Sequence, residues 1–155
     1  MRLYLGIIYL IVTSLSFAQD PNWQDNPGAY EFTASMTALI EGHDSAEGDI
    51  LAAFDASGNV RGVGSSYSAP FGPYSGQTLH DITLRSNSEG DELTFKLYDS
   101  SADEVLNIAD SYVFAINDTQ GDLFDPVLLS IGSSGGDNQP DWQDQPGTYE
   151  FTASM

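Results

Sequence analysis

Two acid-rich loops hold the residues best suited to chemistry. The segments Glu41-Gly42-His43-Asp44-Ser45-Ala46-Glu47-Gly48-Asp49 and Asn117-Asp118-Thr119-Gln120-Gly121-Asp122-Leu123-Phe124-Asp125 each set several carboxylates among glycines. Calcium takes about six to eight oxygens from carboxylates, backbone carbonyls and water, and loops of this composition supply the first two. Asp44, Glu47 and Asp49 in the first loop, and Asp118, Asp122 and Asp125 in the second, are therefore the expected ligands of a calcium ion. Neither loop has the EF-hand spacing of a central glycine and a terminal glutamate. Asp, Asn and Gly also form turns for conformational reasons alone, so the same residues have a purely structural reading.

A third segment, Tyr67-Ser68-Ala69-Pro70-Phe71-Gly72-Pro73-Tyr74, sets three aromatics among Pro and Gly. Sugar rings stack on exposed aromatic faces, so Tyr67, Phe71 and Tyr74 are the expected contacts for a polysaccharide. The same loop could instead fold back as a lid on the sandwich. His43 lies in a polar loop and His80 on a predicted strand face, and no nucleophile motif stands near either. Any of the 23 acids could meet another across the fold, so spacing says nothing about a glycosidase pair. Gly62 and Gly64 precede no helix and so form no phosphate loop; they read as a bulge or a tight bend. No catalytic residue is expected, and the chain reads as a non-enzyme.

The elements that must position these residues follow from composition and pattern. The 155 residues include 23 acids, four bases and no cysteine, for a net charge of -19. That length suits one domain or a little more, and 41% hydrophobic residues suffice for a core. The acidic surface excludes nucleic acid and anionic membranes as partners. Without cysteine there is no disulfide and no thiolate chemistry. Arg2, the apolar run from Leu3 to Leu15, and Ser16-Phe17-Ala18 read as a signal peptide, 1–18, cleaved after Ala18. The run is shorter than the roughly 20 residues a spanning helix needs. Cleavage removes one base and no acid, leaving 23 acids against three bases, a net charge of -20.

The strongest signal is internal. Residues 21–36, Pro21-Asn22-Trp23-Gln24-Asp25-Asn26-Pro27-Gly28-Ala29-Tyr30-Glu31-Phe32-Thr33-Ala34-Ser35-Met36, return 119 positions later as 140–155, and only three of the sixteen residues differ. This divides the chain into a module at 21–131, a Gly/Ser/Asp linker at 132–139 and the truncated start of a second module at 140–155. A longer tandem array is expected. Because the two first strands share one sequence, Tyr149–Met155 could also take the place of Tyr30–Met36, read as an edge strand, in a neighbouring molecule.

Within the module the period is that of strands. From Tyr30 to Glu41, Tyr30, Phe32, Ala34, Met36, Ala38 and Ile40 alternate with polar residues. Ile50–Phe54 is a continuous apolar run, expected to be covered on both faces and to form a hairpin with Val60–Val63. His80–Arg85 and Leu93–Tyr98 alternate around a turn at 87–91 and are expected to pair as a second hairpin. Val105–Ile108, Tyr112–Ile116 and Val127–Ile131 complete the set. The fold class is all-β: an antiparallel, Ig-like sandwich of seven or eight strands, followed by the first strand of a second copy.

Trp23, Tyr30-Glu31-Phe32-Thr33-Ala34, Gly48-Asp49-Ile50-Leu51-Ala52-Ala53-Phe54, Val60-Arg61-Gly62-Val63 and Leu93-Thr94-Phe95-Lys96-Leu97-Tyr98-Asp99 together resemble a repeated β-sandwich module of large secreted or cell-surface multidomain proteins of aquatic bacteria. The resemblance covers nearly the whole module and carries no catalytic residue. It implies an extracellular part of an array, whose partners are neighbouring repeats or cell-surface and matrix components. The expected role is structural or adhesive. The alternative is a carbohydrate-binding accessory module of a secreted polysaccharide-degrading enzyme.

Overall fold

The computed structural model describes residues 21–132, so the expected leader 1–18, the expected linker beyond Gly132 and the repeated segment 140–155 lie outside the described residues. A single 3-10 turn at Pro27–Ala29 precedes nine strands: β1 (Phe32–Glu41), β2 (Ile50–Phe54), β3 (Val60–Val63), β4 (Ser65–Ser68), β5 (Thr78–Ser86), β6 (Glu92–Asp99), β7 (Glu104–Val113), β8 (Thr119–Gln120) and β9 (Val127–Ser130). One sheet runs β4-β5-β1 with β8 and β9 beside β1, and the other runs β3-β2-β6-β7. The all-β sandwich read from the strand pattern is the fold.

Alternation in β1 buries Ala34, Met36, Ala38 and Ile40, and these meet Leu51, Ala53, Leu93, Phe95, Leu97 and Phe114 of the opposite layer in one apolar cluster. The continuous apolar run of β2 is covered on both sides as expected. Leu51 and Ala53 join the core, while Phe54 receives the edge of Trp23 at 5.3 Å between ring centroids. The β2–β3 hairpin forms, with Ala52 opposite Val63.

Several details differ from the sequence reading. Val105–Ile108 and Tyr112 lie on one continuous strand, β7, so the separate strand expected at Tyr112–Ile116 does not form. The expected hairpin of His80–Arg85 with Leu93–Tyr98 does not form, because β5 pairs with β1 and β4 while β6 pairs with β2 and β7. The turn at 87–91 carries the chain between layers; alternation shows that each strand has a buried face but not which sheet it joins. Tyr67 and Ser68, expected at the start of the aromatic loop, lie instead in β4 (Ser65–Ser68) against β5. Lastly, β1 is interior to its sheet. It pairs antiparallel with β5 and parallel with β8 and β9, so it offers no free edge for strand exchange.

The leading segment is fastened by two of the three bases found between residues 21 and 132, and the third lies against the ring on which that segment packs. Asp25 accepts from Arg85 Nε at 3.0 Å. The Arg61 guanidinium lies 4.5 Å from the Tyr30 ring centroid, and Lys96 Nζ lies 5.3 Å from the Phe54 ring centroid, the ring that Trp23 covers. Arg61 is held in turn by Asp55, at 2.9 Å, whose carboxyl also takes the amides of Ser57 and Asn59.

Candidate metal centre

The register Ile50 opposite Tyr98 sets the residues just outside that pair, Asp49 and Asp99, side by side at one end of the β2–β6 pair. Gly42, at φ 69°, turns the chain out of β1 into the loop that brings His43 over them. His43 Nε2 stands 3.4 Å from Asp49 Oδ2 and 3.8 Å from Asp99 Oδ2. One ligand atom from each of the three residues lies within 4.8 Å of the others, a His/Asp/Asp group able to hold a metal ion.

Both carboxylates are fixed by the loops around them. Asp49 Oδ1 accepts from the Ser100 amide at 2.9 Å and the Ser100 hydroxyl at 2.8 Å, and its Oδ2 accepts from the Ala46 amide at 2.8 Å. Burial pushes the Asp49 carboxyl upward, but the amides of Ala46 and Ser100, the Ser100 hydroxyl and His43 together bring it below its ordinary range. Asp99 Oδ1 takes the Ser101 hydroxyl at 2.7 Å and the amides of Ser101 and Ala102 at 2.8 and 3.0 Å. The Ser101 hydroxyl leads the groups that hold Asp99 below its ordinary range. Both residues are therefore ready-made anions.

Behind the same loop, His80 is fully buried on β5, with Nε2 3.4 Å from Ser45 Oγ. Its Nδ1 is a buried polar atom without a hydrogen-bond partner. Burial depresses the imidazole to about 4, which outweighs the opposing charge of Asp49.

Of the expected calcium ligands, only Asp49 belongs to this group; Asp44 and Glu47 are exposed and stand outside it. In the second loop, Asp118 binds the Tyr112 hydroxyl at 2.8 Å and the Gln120 amide at 2.6 Å, while Asp122 Oδ1 accepts the amides of Phe124 and Asp125. These acids organise their own turns, and Asp118, Asp122 and Asp125 form no convergent metal group among the described residues. His43 and Asp99 were missed because each was read singly. Only the pairing of β2 with β6 joins residues fifty positions apart.

The expected glycan contacts are likewise separated. Tyr67 lies half-buried in β4, where burial and the Asp81 carboxylate raise its hydroxyl above the ordinary range. Tyr74 is half-buried, and Phe71 is 56% exposed. Phe71 meets Phe124, itself 57% exposed, at 5.9 Å and a tilt of 50°, so the exposed aromatic pair is not the one expected.

No family model, curated protein or solved structure matches the chain. Among the described residues, no helix is long and apolar enough to cross a membrane.

Proposed function

We propose that this protein is a secreted, non-catalytic β-sandwich repeat serving as a structural or adhesive module of an extracellular tandem array. One observation carries the reading. Trp23, Asp25 and Tyr30 dock on Phe54, Arg85 and Arg61, and Ala34 and Met36 enter the core. All five residues recur unchanged as Trp142, Asp144, Tyr149, Ala153 and Met155. The three positions that differ, Asn22, Asn26 and Ala29, are exposed in the first copy. A segment that keeps these docking and core residues and varies at exposed positions is suited to begin a second sandwich of the same kind.

In this reading residues 1–18 direct export and are cleaved after Ala18, and the partners are neighbouring repeats or surface and matrix components. Calcium in the acidic loops would be compatible with such a module, but the reading does not depend on it. Reading the gene beyond Met155 tests the proposal. Phenylalanine, two arginines and a lysine are expected at the same spacings from Trp142 as Phe54, Arg61, Arg85 and Lys96 keep from Trp23. A continuation without them would overturn it.

The second reading, a carbohydrate-binding accessory module, is favoured by the exposed Phe71–Phe124 pair. A hydrolase domain joined downstream, together with polysaccharide binding lost in Phe71→Ala, would select it.

A further inference from the structure

We propose that His43, Asp49 and Asp99 bind one divalent transition ion of the zinc class. The site does not depend on the array reading, and its donor set argues against calcium. Calcium seeks an oxygen shell, whereas here two carboxylate oxygens converge with an imidazole nitrogen, a ligand set that suits zinc and its neighbours. Three protein donors with remaining positions open to water is a common arrangement for such ions.

The geometry agrees. Bonds of about 2.0–2.2 Å to a tetrahedral zinc place neighbouring donor atoms roughly 3.3–3.6 Å apart. His43 Nε2 is 3.4 and 3.8 Å from the two Oδ2 atoms, and the three ligand atoms lie within 4.8 Å of one another, so the shell closes if the side chains move inward. Those separations exceed the roughly 2.7–2.9 Å of a charge-assisted hydrogen bond, so His43 does not hold the carboxylates as a tight ion pair. The Oδ1 atoms are taken by the loop after β6, which fixes where both Oδ2 atoms sit. Asp99 Oδ2 is left facing His43 Nε2 at 3.8 Å. Behind the same loop, His80 Nδ1 is buried without a hydrogen-bond partner, while its Nε2 lies 3.4 Å from Ser45 Oγ.

The test is calorimetric titration of the untagged mature chain with zinc chloride near neutral pH, with calcium chloride in parallel. One zinc per chain is expected, weakened on the order of 100-fold in His43→Ala and at least about tenfold in Asp99→Asn. Asp44→Asn, an exposed acid of the same loop, should bind as the parent does. Calcium at equal concentration should neither bind there nor displace zinc. Proton NMR supplies a readout that needs no variant, since the chain has two histidines. Zinc should move the His43 ring signals. Unmoved His43 signals, zinc binding that survives His43→Ala, or tighter binding of calcium than of zinc would each overturn the proposal.

Discussion

Replacing Gly62 with alanine is expected to cost about 3 kcal/mol or more of folding stability, at the upper end of overpacking penalties. Gly62 is buried in β3, opposite Ala53 of β2. A Cβ placed there would press into the Thr83 carbonyl oxygen of β5 and stand 3.2 Å from its carbonyl carbon and 3.3 Å from Ile82 Cγ1. The obstacle is backbone held in a sheet, so it cannot swing aside as a side chain would. Here the chain leaves one sheet for the other, and β3 runs against β5 closely enough to exclude a methyl group. Gly64→Ala should cost less, because its nearest neighbours, the Asp81 and Leu51 carbonyl oxygens, lie 3.2 Å away. Gly28→Ala, which faces open space, should be nearly neutral. Urea melts of the three variants check the order. A Gly62→Ala protein within about 1 kcal/mol of Gly28→Ala would show that β3 and β5 are not in contact.

Acid should weaken the fold well before its carboxylates are protonated. His80 has a folded-state value near 4 against an ordinary 6.5, because burial disfavours its charged form. Above about 6.5 both folded and unfolded chains carry it neutral, and pH has no effect through this group. Between about 6.5 and 4 the unfolded chain takes up a proton that the folded one refuses, so stability falls as pH falls. The full loss is about 3 kcal/mol. The groups acting on His80 are Asp49 and Asp81, which favour its proton, and His43, which opposes it. Asp55 works in a lower window. Burial is the largest single influence and raises it, but the Asn59 side chain and amide, Arg61 and the Ser57 amide together bring it to about 2, so its contribution disappears only between about 3.8 and 2. Urea melts between pH 7 and pH 4.5 with chelator present should show the first slope, and His80→Gln should flatten it. A slope unchanged in that variant would place the proton elsewhere.

Much of the fold was legible in the residues. Ala34, Met36, Ala38 and Ile40 announced a half-buried strand, and the Ile50–Phe54 run announced one covered on both faces and paired with Val60–Val63. Sheet membership was not legible. Ile82 and Leu84 face the core from one layer and Leu93 and Phe95 from the other, a distinction that period alone does not carry. β4 was hidden by the Pro and Gly that follow it. The metal group was illegible for a different reason. In a chain of 23 acids no single carboxylate stands out, and Asp49 and Asp99 become neighbours only through strand register. Asp122, prominent in the sequence, spends its carboxylate on its own turn.

The parallel pairing of β1 with β9 bears on how the module would respond to tension. The pair aligns Ala38–Glu41 with Val127–Ser130, so a pull on the first strand from its N-terminal side and on the last from its C-terminal side acts in opposite directions along one ladder. The hydrogen bonds between them lie across the load and share it, instead of opening one after another as in a hairpin peeled from its end. β5 holds the other side of β1 through seven paired positions, from Phe32 to Ala38. Joined end to end, modules of this construction would transmit force as a chain of shear-loaded links.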